Sequence, residues 1–519
     1  MNIADLVERN GRLYGSRPAF LGERHTLTHA QFAQRVFGLS NALLSHGIAH
    51  QGRVAILMRN RLEMLEAMYG SASAGLIGVT LNWRLAPAEL RRICSDCDPE
   101  VLIYEPAYEE AARGIMAGCP NIRLAVVIGE ATAQALSYES VLAADSGRPD
   151  VAITEQTIAC LVYTSGTTGD AKGVMLSHGA LVGAARVSAW EGGSQPSDRM
   201  LIVMPLFHIG GQIEQMSCWL SGATTCLRSQ FEAGEVLALI EQERITAAHL
   251  APTMVALLLD HPELARRDHS SLRLVHYGSA PMPVPLLRRA IGTFGPIFVQ
   301  VYGMTECVLG TILKAHEHLP DGDEDQRRRL ASAGQPYLGV DVRIEDDNGN
   351  RCAFGVAGEV LLRGPALMAG YWNRSAASIS ALRGGWMHTG DIGYLDGQDF
   401  LFIVDRKKDM IISGGENIYS REVEETLLTH PSVREAAVVG APDPKWGESV
   451  CAFIVPQSGA ARDATALITH CRGQIASYKK PRHVFYVESL PRIHNGKVDK
   501  KQLRAMARQA TAVGALQHG

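Results

Sequence analysis

Residues 163–174 have the sequence YTSGTTGDAKGV, and this segment decides the fold of the chain most directly. Gly166, Gly169 and Gly173 allow backbone amides to turn toward an anion, and Lys172 adds a positive charge. Such a loop suits the phosphates of a nucleotide. The hydroxyl side chains that add further donors are those of Thr164, Ser165, Thr167 and Thr168.

The flanks of this loop favour a phosphate site over a Ser/Thr/Gly surface linker. Residues 158–162 form a predicted strand before it, and residues 174–176 are an apolar run after it. A Walker loop needs Gly-Lys followed by Ser or Thr. Here Lys172 lies between Ala171 and Gly173. The sequence therefore disfavours a P-loop NTPase.

Outside this loop, strand-like and helix-like segments alternate up to about residue 400. Residues 53–58, 101–104 and 124–128 have strand patterns, and residues 60–73 have a helix pattern. This alternation predicts α/β layers with largely parallel sheets. The charged run 321–329 is predicted to be a solvated loop.

The length of 519 residues indicates more than one domain. Residues 405–409 form a dense charged break, and another α/β alternation follows it. We expect a large N-terminal domain of layered α/β subdomains over residues 1–405. A small C-terminal α+β domain is expected over residues 406–519.

The composition bounds the class of protein. A net charge of −4 gives no global basic field for nucleic acid, and no segment is predicted to span a membrane. The N-terminus lacks a secretory pattern, and the ten cysteines are expected to be reduced thiols. We therefore expect a cytoplasmic protein without a nucleic-acid partner. The sequence is compatible with peripheral contact with a membrane and with a homo-oligomer.

Further motifs follow in a fixed order along the chain. They are Pro205-Leu206-Phe207-His208, Gly278-Ser279-Ala280-Pro281, Tyr302-Gly303-Met304-Thr305-Glu306, Thr389-Gly390-Asp391, Asp405-Arg406, Ser413-Gly414-Gly415-Glu416-Asn417 and the segment from Pro491 through Lys497. Together with the phosphate loop, this set resembles the adenylate-forming superfamily over nearly the whole chain. That superfamily includes acyl-CoA synthetases, adenylation domains of nonribosomal peptide synthetases and beetle luciferases.

The resemblance implies an ATP-dependent acyl-CoA synthetase with a mobile C-terminal domain that turns near Lys408. Its expected substrates are a small-molecule carboxylic acid, ATP and CoA, and Mg²⁺ is the expected metal. The resemblance implies catalytic roles for Lys497, Glu306 and Thr305, with Glu306 also the Mg²⁺ ligand. The expected ATP-binding residues are Thr164, Ser165, Gly166, Thr167, Thr168, Gly169, Lys172, Gly278, Ser279, Ala280, Tyr302, Gly303, Asp391 and Arg406.

The resemblance also implies an acyl pocket and a path for the thiol. The expected acyl-pocket residues are His208, Gly210, Gly303 and Val308. The expected CoA-binding residues are Arg84, Gly414, Gly415, Glu416, Trp446, Tyr478, Lys480 and Arg482. One departure is Ser420, where many members have proline. We expect this to alter loop stiffness rather than chemistry.

The acyl-pocket candidates predict the class of acid substrate. The pocket candidates are apolar or small, which favours a medium- or long-chain fatty acid. An aryl or cinnamate-type acid is the alternative. A ligase that stops at the acyl-adenylate, a peptide-synthetase adenylation domain, a luciferase-like oxidase and a non-catalytic acid-binding relative are the other functions considered.

Overall fold

The computed structural model describes residues 1–23, 25–164, 171–413, 416–493 and 497–515, with side chains through residue 510. It has an α/β fold with a large N-terminal and a small C-terminal domain, as predicted. The α-helices are α1 Ile3–Leu13, α2 His29–Ser45, α3 Leu62–Ser73, α4 Pro87–Cys97, α5 Glu109–Gly118, α6 Tyr138–Val141, α7 His178–Glu191, α8 Ile209–Leu220, α9 Ala233–Gln242, α10 Pro252–Leu259, α11 Val284–Phe294, α12 Glu324–Arg329, α13 Ser375–Ala381, α14 Ser420–Leu428, α15 Ala464–Gln474 and α16 Lys500–Ala515.

The strands of the large domain form three sheets. They are β1 Pro18–Leu21, β2 Thr26–Thr28, β3 Arg53–Leu57, β4 Ile77–Thr80, β5 Val101–Tyr104, β6 Leu124–Val127, β7 Leu136–Ser137, β8 Ile158–Thr164, β9 Lys172–Ser177, β10 Arg199–Ile202, β11 Thr224–Leu227, β12 Ala247–Leu250, β13 Leu274–Gly278, β14 Phe298–Tyr302, β15 Thr311–Leu313, β16 Gln335–Pro336, β17 Asp341–Glu345, β18 Gly358–Arg363, β19 Gly370–Tyr371, β20 Met387–Leu395 and β21 Leu401–Arg406.

Two of these sheets are largely parallel, which confirms the sequence prediction for this part. The first has the order β16-β15-β14-β13-β12-β10-β11-β1-β2, and the second has the order β19-β9-β8-β4-β3-β5-β6-β7. Their inner strands pair in parallel, and antiparallel pairs lie toward the edges. The carboxyl ends of β12, β13 and β14 therefore meet at one edge, where ligands of open α/β sheets bind.

The third sheet corrects the prediction, because it is antiparallel throughout, with the order β17-β18-β20-β21. Tight turns join two of its strand pairs where crossover helices would be needed for parallel pairing. In one turn, Asp346 accepts the backbone N–H groups of Asn348 and Asn350. In the other, Asp396 accepts those of Gln398 and Phe400.

The predicted loop at 321–329 is also corrected, since α12 occupies its last six residues. Asp323 caps the helix by accepting the Gln326 backbone N–H, and the Gln326 side chain accepts the Asp323 backbone N–H. Acidic residues in the first turn and three arginines in the last turn complement the helix dipole. The charge pattern of this run thus stabilises a helix.

The small domain is built on a sheet of β22 Ile411–Ser413, β23 Glu416–Ile418, β24 Val433–Asp443, β25 Gly447–Pro456 and β26 His483–Tyr486. Both faces of β25 are buried: Val450, Ala452 and Ile454 pack toward α14 and α15, while Cys451 and Phe453 pack toward α16. Alternation along the strand thus supplies two core layers. Within the described residues, no helix is long and apolar enough to cross a membrane.

Candidate active site

The phosphate loop connects two strands that pair directly. β8 and β9 run antiparallel, with Thr164 opposite Lys172 at the end of the ladder. This register places both residues at the mouth of the loop. Of the predicted loop residues, Ser165, Gly166, Thr167, Thr168 and Gly169 lie outside the described residues.

Glu306 lies beside this loop although it is distant in sequence. Its buried carboxylate accepts a 2.8 Å hydrogen bond from the Tyr371 hydroxyl through Oε1. Lys172 Nζ lies 5.0 Å from the centroid of the same Tyr371 ring. Burial and the Glu306 charge raise the pKa of Tyr371, so its hydroxyl stays protonated as a donor. Thr305, half-buried, directly precedes Glu306.

Tyr371 is a site residue that the motif analysis missed. It lies on β19 and pairs with Val174 on β9, which fixes its ring against the base of the phosphate loop. The Trp372 N–H donates to the Gly173 carbonyl at 2.8 Å and extends that pairing. The adjacent Gly370-Tyr371-Trp372 triplet was the available sequence signal, but the contact depends on strand pairing.

Asp391 joins two of the other predicted residues. Its Oδ2 accepts the Tyr302 hydroxyl at 2.7 Å, and its Oδ1 lies 2.8 Å from Arg406 Nε. The pairing of β20 with β21 places Asp391 opposite Arg406. The Asp391 backbone N–H also donates to Thr389 Oγ1 at 3.0 Å. The buried carboxylate is therefore held in one orientation while retaining further lone pairs for a ligand.

Lys497 brings the C-terminal domain to this group. Its side chain is accessible to water, but the protein surrounding its ammonium group lowers the pKa to about 8. The Arg406 charge also lowers this pKa, Asp391 raises it, and Lys408 lowers it further. The charges of Arg406, Asp391 and Lys408 thus all act on the Lys497 ammonium group.

His208 lies near the same ammonium group, at the N-cap of α8. Burial lowers the pKa of His208 to about 4, and the charges of Lys497 and Arg84 add to the effect. The imidazole is therefore neutral at pH 7. Its Nε2 is buried and has no hydrogen-bond partner among the described residues. The ring packs on Phe207 with centroids 4.4 Å apart.

The backbone at the ends of β13 and β14 leaves no room for side chains at two glycines. A Cβ on Gly278 would lie 2.5 Å from the Val301 carbonyl, and one on Gly303 would lie 2.3 Å from the Val308 carbonyl. Ser279 and Val308 adopt positive φ angles of 64° and 57°. Such strained backbone is frequent at ligand sites. Ala280, partly buried, completes the loop after β13.

Gly210 is the second residue of α8 and faces the loop after β13. A Cβ there would lie 3.7 Å from His249 Cε1 and 3.9 Å from Ser279 Oγ. The predicted acyl-pocket glycine therefore faces the ends of β12 and β13, two residues beyond His208.

Three of the predicted CoA residues lie together in the C-terminal domain. The Arg482 guanidinium is 4.7 Å from the Trp446 ring centroid. Burial lowers the pKa of Lys480, and the charges of Arg472 and Arg482 lower it further. A basic cluster beside an indole ring suits a nucleotide that carries an extra phosphate.

The other predicted CoA residues are not part of this basic cluster. Arg84 lies over Trp83 at 4.6 Å and over Phe207 at 5.6 Å, beside the acyl entrance. Tyr478 and Glu416 are exposed, and Glu416 lies on β23. Gly414 and Gly415 lie outside the described residues.

The predicted hinge lies in the turn between β21 and β22. The Lys407 N–H donates to the Gly390 carbonyl at 2.9 Å, on the side of the large domain. The Lys408 carbonyl accepts from Arg504 of α16 at 3.5 Å, and Arg504 also pairs with Asp409. Consecutive residues of this turn are thus bonded to different domains.

Comparison with known families identifies this assembly. Residues 7–372 match the family described as AMP-binding enzyme, and residues 422–497 match the AMP-binding enzyme C-terminal domain. The chain belongs to the AMP-binding enzyme family. This confirms the predicted membership of the adenylate-forming superfamily.

Relatives of known activity are similar over almost the full chain. An indoleacetate–CoA ligase of Aromatoleum aromaticum is 38% identical, covering 98% of this chain and 99% of its own. A feruloyl-CoA synthase of an Amycolatopsis species is 38% identical, with coverage of 92% and 93%. A medium/long-chain-fatty-acid–CoA ligase of Mycobacterium tuberculosis is 35% identical, with coverage of 94% and 86%.

A solved structure gives the same result for the fold. The amide bond synthetase McbA of Marinactinospora thermotolerans superposes with a TM-score of 0.89 at 32% identity, covering 98% of this chain and 100% of its own. Together with the CoA ligases above, these family matches make this AMP-binding enzyme an ATP-dependent acid–thiol ligase. A small-molecule carboxylic acid, ATP and CoA are the substrates of such a ligase.

Proposed function

We propose that this enzyme converts an aromatic carboxylic acid into its acyl-adenylate, with release of pyrophosphate, and then into its CoA thioester, with release of AMP. The observation that supports adenylate formation most strongly is the position of Lys497. A lysine of the C-terminal domain approaches Asp391 and Arg406 of the large domain closely enough for their charges to change its pKa. That position suits the first half-reaction.

In that half-reaction, the acid carboxylate attacks the α-phosphate and pyrophosphate leaves. Negative charge shifts on the phosphate oxygens, so fixed cations supply most of the rate enhancement. We assign Lys497 to the α-phosphate and the carboxylate, and Lys172 with the phosphate loop to the β- and γ-phosphates. Thr305 is assigned a contact to the α-phosphate.

The nucleoside is assigned to the group around Asp391. A carboxylate held by Tyr302 and Arg406 is an acceptor for the two ribose hydroxyls, since each carboxylate oxygen can accept more than one hydrogen bond. The loop at Gly278, Ser279 and Ala280 is assigned to the adenine side. Tyr302 is assigned to a stacking contact with the base, and Gly303 allows the close approach of the backbone.

Glu306 is the residue proposed to hold Mg²⁺. The described residues contain no group of three or more metal-ligating side chains. This fits Mg²⁺, which is commonly held by one or two carboxylates together with substrate phosphates and water. Glu306 is buried, and Tyr371 bonds one of its oxygens. When bound, the ion would neutralise charge on the triphosphate.

The second half-reaction requires the CoA thiol to reach the adenylate. Lys497 is assigned to that same position in the first half-reaction. We propose that the C-terminal domain, with a boundary near residue 405, turns at Lys408 and withdraws Lys497. Trp446, Lys480 and Arg482 would then bind the CoA nucleotide, with Tyr478 and Arg84 as further contacts. Gly414, Gly415 and Glu416 are assigned to the pantetheine path.

The acid is proposed to be aromatic, which revises the sequence expectation that a fatty acid leads. Indoleacetate and ferulate, the acids in the names of the relatives at 38% identity described above, are both aromatic. His208 would stand beside the reacting carboxylate, with Gly210, Gly303 and Val308 around the acyl group. Cytoplasmic location stays a prediction.

A panel of acids tests this function. Release of AMP and pyrophosphate is measured with cinnamic, 4-hydroxycinnamic, indole-3-acetic, octanoic and palmitic acids, with and without CoA. We expect CoA-dependent AMP release to be fastest with an aromatic acid. Faster turnover of the aliphatic acids would contradict the aromatic assignment. Pyrophosphate release without thioester would indicate an adenylate-only ligase, and an amine added as acceptor would detect amide formation.

A further inference from the structure

A buried histidine without a partner lies beside the proposed acyl pocket. His249 is on β12 and is 2% exposed. Neither of its ring nitrogens has a hydrogen-bond partner in the part of the chain that the structure describes. A buried polar group without a partner costs folding free energy. The mechanism proposed above does not use this residue.

The groups around His249 are already paired with each other. Glu214 Oε2 lies 2.5 Å from His276 Nδ1, and His276 Nε2 lies 2.9 Å from the Gly192 carbonyl oxygen. Although burial opposes it, the Glu214 charge raises the pKa of His276, and His276 in turn lowers the pKa of Glu214. Glu214 and His276 thus satisfy each other, and both ring nitrogens of His276 already have a partner.

His249 differs in pKa and in hydrogen bonding from its strand neighbour His276. The two residues are register partners on adjacent parallel strands. Burial lowers the pKa of His249 to about 4, while Glu214 raises it and His276 lowers it. His249 is thus a neutral imidazole at pH 7, with one N–H donor and one nitrogen acceptor available. It can pair with a hydroxyl or a ring N–H.

Gly210, a predicted acyl-pocket residue, lies directly beside this ring. A Cβ added at Gly210 would have His249 Cε1 as its nearest neighbour, at 3.7 Å. His208, which lies near Lys497, precedes Gly210 by two residues, or about 3 Å along a helix axis. A ring whose carboxyl group is at Lys497 would therefore extend past Gly210 toward His249.

We propose that His249 is a specificity-determining residue that hydrogen-bonds a hydroxyl or ring N–H on an aromatic acid. This inference rests on the proposed function and narrows its substrate class to aromatic acids with a polar substituent. Such an acid would supply the partner that His249 lacks. An acid without the substituent would leave the imidazole unpaired, which is how sites built for a hydrogen bond reject analogues.

Matched substrate pairs test the assignment. One pair is 4-hydroxycinnamic and cinnamic acid; the other is indole-3-acetic and 1-naphthylacetic acid. For the wild type, we expect kcat/KM to favour the polar member of at least one pair by roughly tenfold to a hundredfold. His249→Phe should reduce that ratio to within about threefold, on the same reasoning, while retaining turnover of the apolar member. His249→Gln, which keeps a donor and an acceptor, should retain part of the preference.

His29→Phe is the control for replacing a buried histidine. His29 is fully buried and stacks on Trp219 in the core of the large domain. Its variant should keep the wild-type ratio. Equal kcat/KM within both pairs for the wild type, or an unchanged preference in His249→Phe, would overturn the inference.

Equilibrium binding of the same acids separates this inference from the proposed function. If the protein binds the polar acids more tightly but forms no thioester, the proposed ligase function is refuted and the role of His249 is kept. Thioester formation at equal rates from the polar and apolar members of each pair would refute only the role of His249. A chain that neither binds nor activates any of these acids would refute both.

Discussion

Asp391 and Arg406 face each other across the paired strands β20 and β21, with Arg406 Nε 2.8 Å from Asp391 Oδ1. The carboxylate is buried, whereas the guanidinium is nearly half exposed. The Asp391 charge raises the pKa of Arg406, although burial opposes it. This pair holds the proposed ribose acceptor in place and brings a cation to the position that Lys497 approaches.

Asp391→Asn should weaken ATP binding, because an amide presents one acceptor oxygen instead of two and loses its charge partner. We expect the KM for ATP to rise by roughly tenfold to a hundredfold, the scale of one or two lost charge-assisted hydrogen bonds. Pyrophosphate release at varied ATP concentration measures it. Asp399→Asn, at an exposed turn, is the control. An unchanged KM for ATP in Asp391→Asn would refute the ribose assignment.

Glu306→Gln should slow adenylation by roughly 100- to 1,000-fold, the scale for removing one key electrostatic group. The cause would be loss of the proposed Mg²⁺ ligand. Pyrophosphate release over a range of Mg²⁺ concentrations is the measurement, and partial recovery at high Mg²⁺ is expected. Glu324→Gln, on the exposed surface of α12, should match the wild type. Near-wild-type pyrophosphate release by Glu306→Gln would count against the assignment.

The pH dependence of adenylation should reflect Lys497. Its lowered pKa of about 8 means that the ammonium form is lost as the pH rises through that value. Because kcat/KM reports ionisation in the free enzyme, kcat/KM for ATP should fall above about pH 8. Lys497→Arg should move this decline to higher pH, since arginine stays charged. A decline unchanged in that variant would show that another group titrates.

The close packing of the chain before β16 against β15 can be tested through a glycine. Gly334 has a φ of 85°, and a Cβ there would lie 2.0 Å from Ile312 backbone atoms. Gly334→Ala should destabilise the large domain by more than about 3 kcal/mol. Gly384 also has a positive φ, but nothing lies near its Cβ position, so Gly384→Ala should cost about 1 kcal/mol. Similar thermal midpoints for the two variants would contradict this explanation.

Local signals in the sequence predict much of this fold. The strands at 53–57, 101–104 and 124–127 and the helix at 62–73 follow from burial patterns that each segment contains by itself. Asp391 and Arg406 are close in sequence and joined by a hairpin, so their pairing is also a local consequence.

Contacts that depend on distant strand pairing could not be predicted in this way. Tyr371 reaches Glu306 only because β19 adds to β9, and no local pattern specifies that pairing. His249 similarly resembles a core histidine until β12, β13 and α8 are assembled around it. The antiparallel third sheet depends on turn geometry, which the strand patterns alone leave open.

In the proposed mechanism, Lys497 serves the first half-reaction and leaves the adenylate for the second. The most direct measurement follows Lys497→Ala in both half-reactions separately, with exposed Lys501→Ala as the control. Pyrophosphate release from acid and ATP should fall by roughly 100-fold or more. Thioester formation from supplied acyl-adenylate and CoA should stay within about threefold of the wild type, since a group absent from a step contributes nothing to its barrier. Equal loss in both half-reactions would contradict the account.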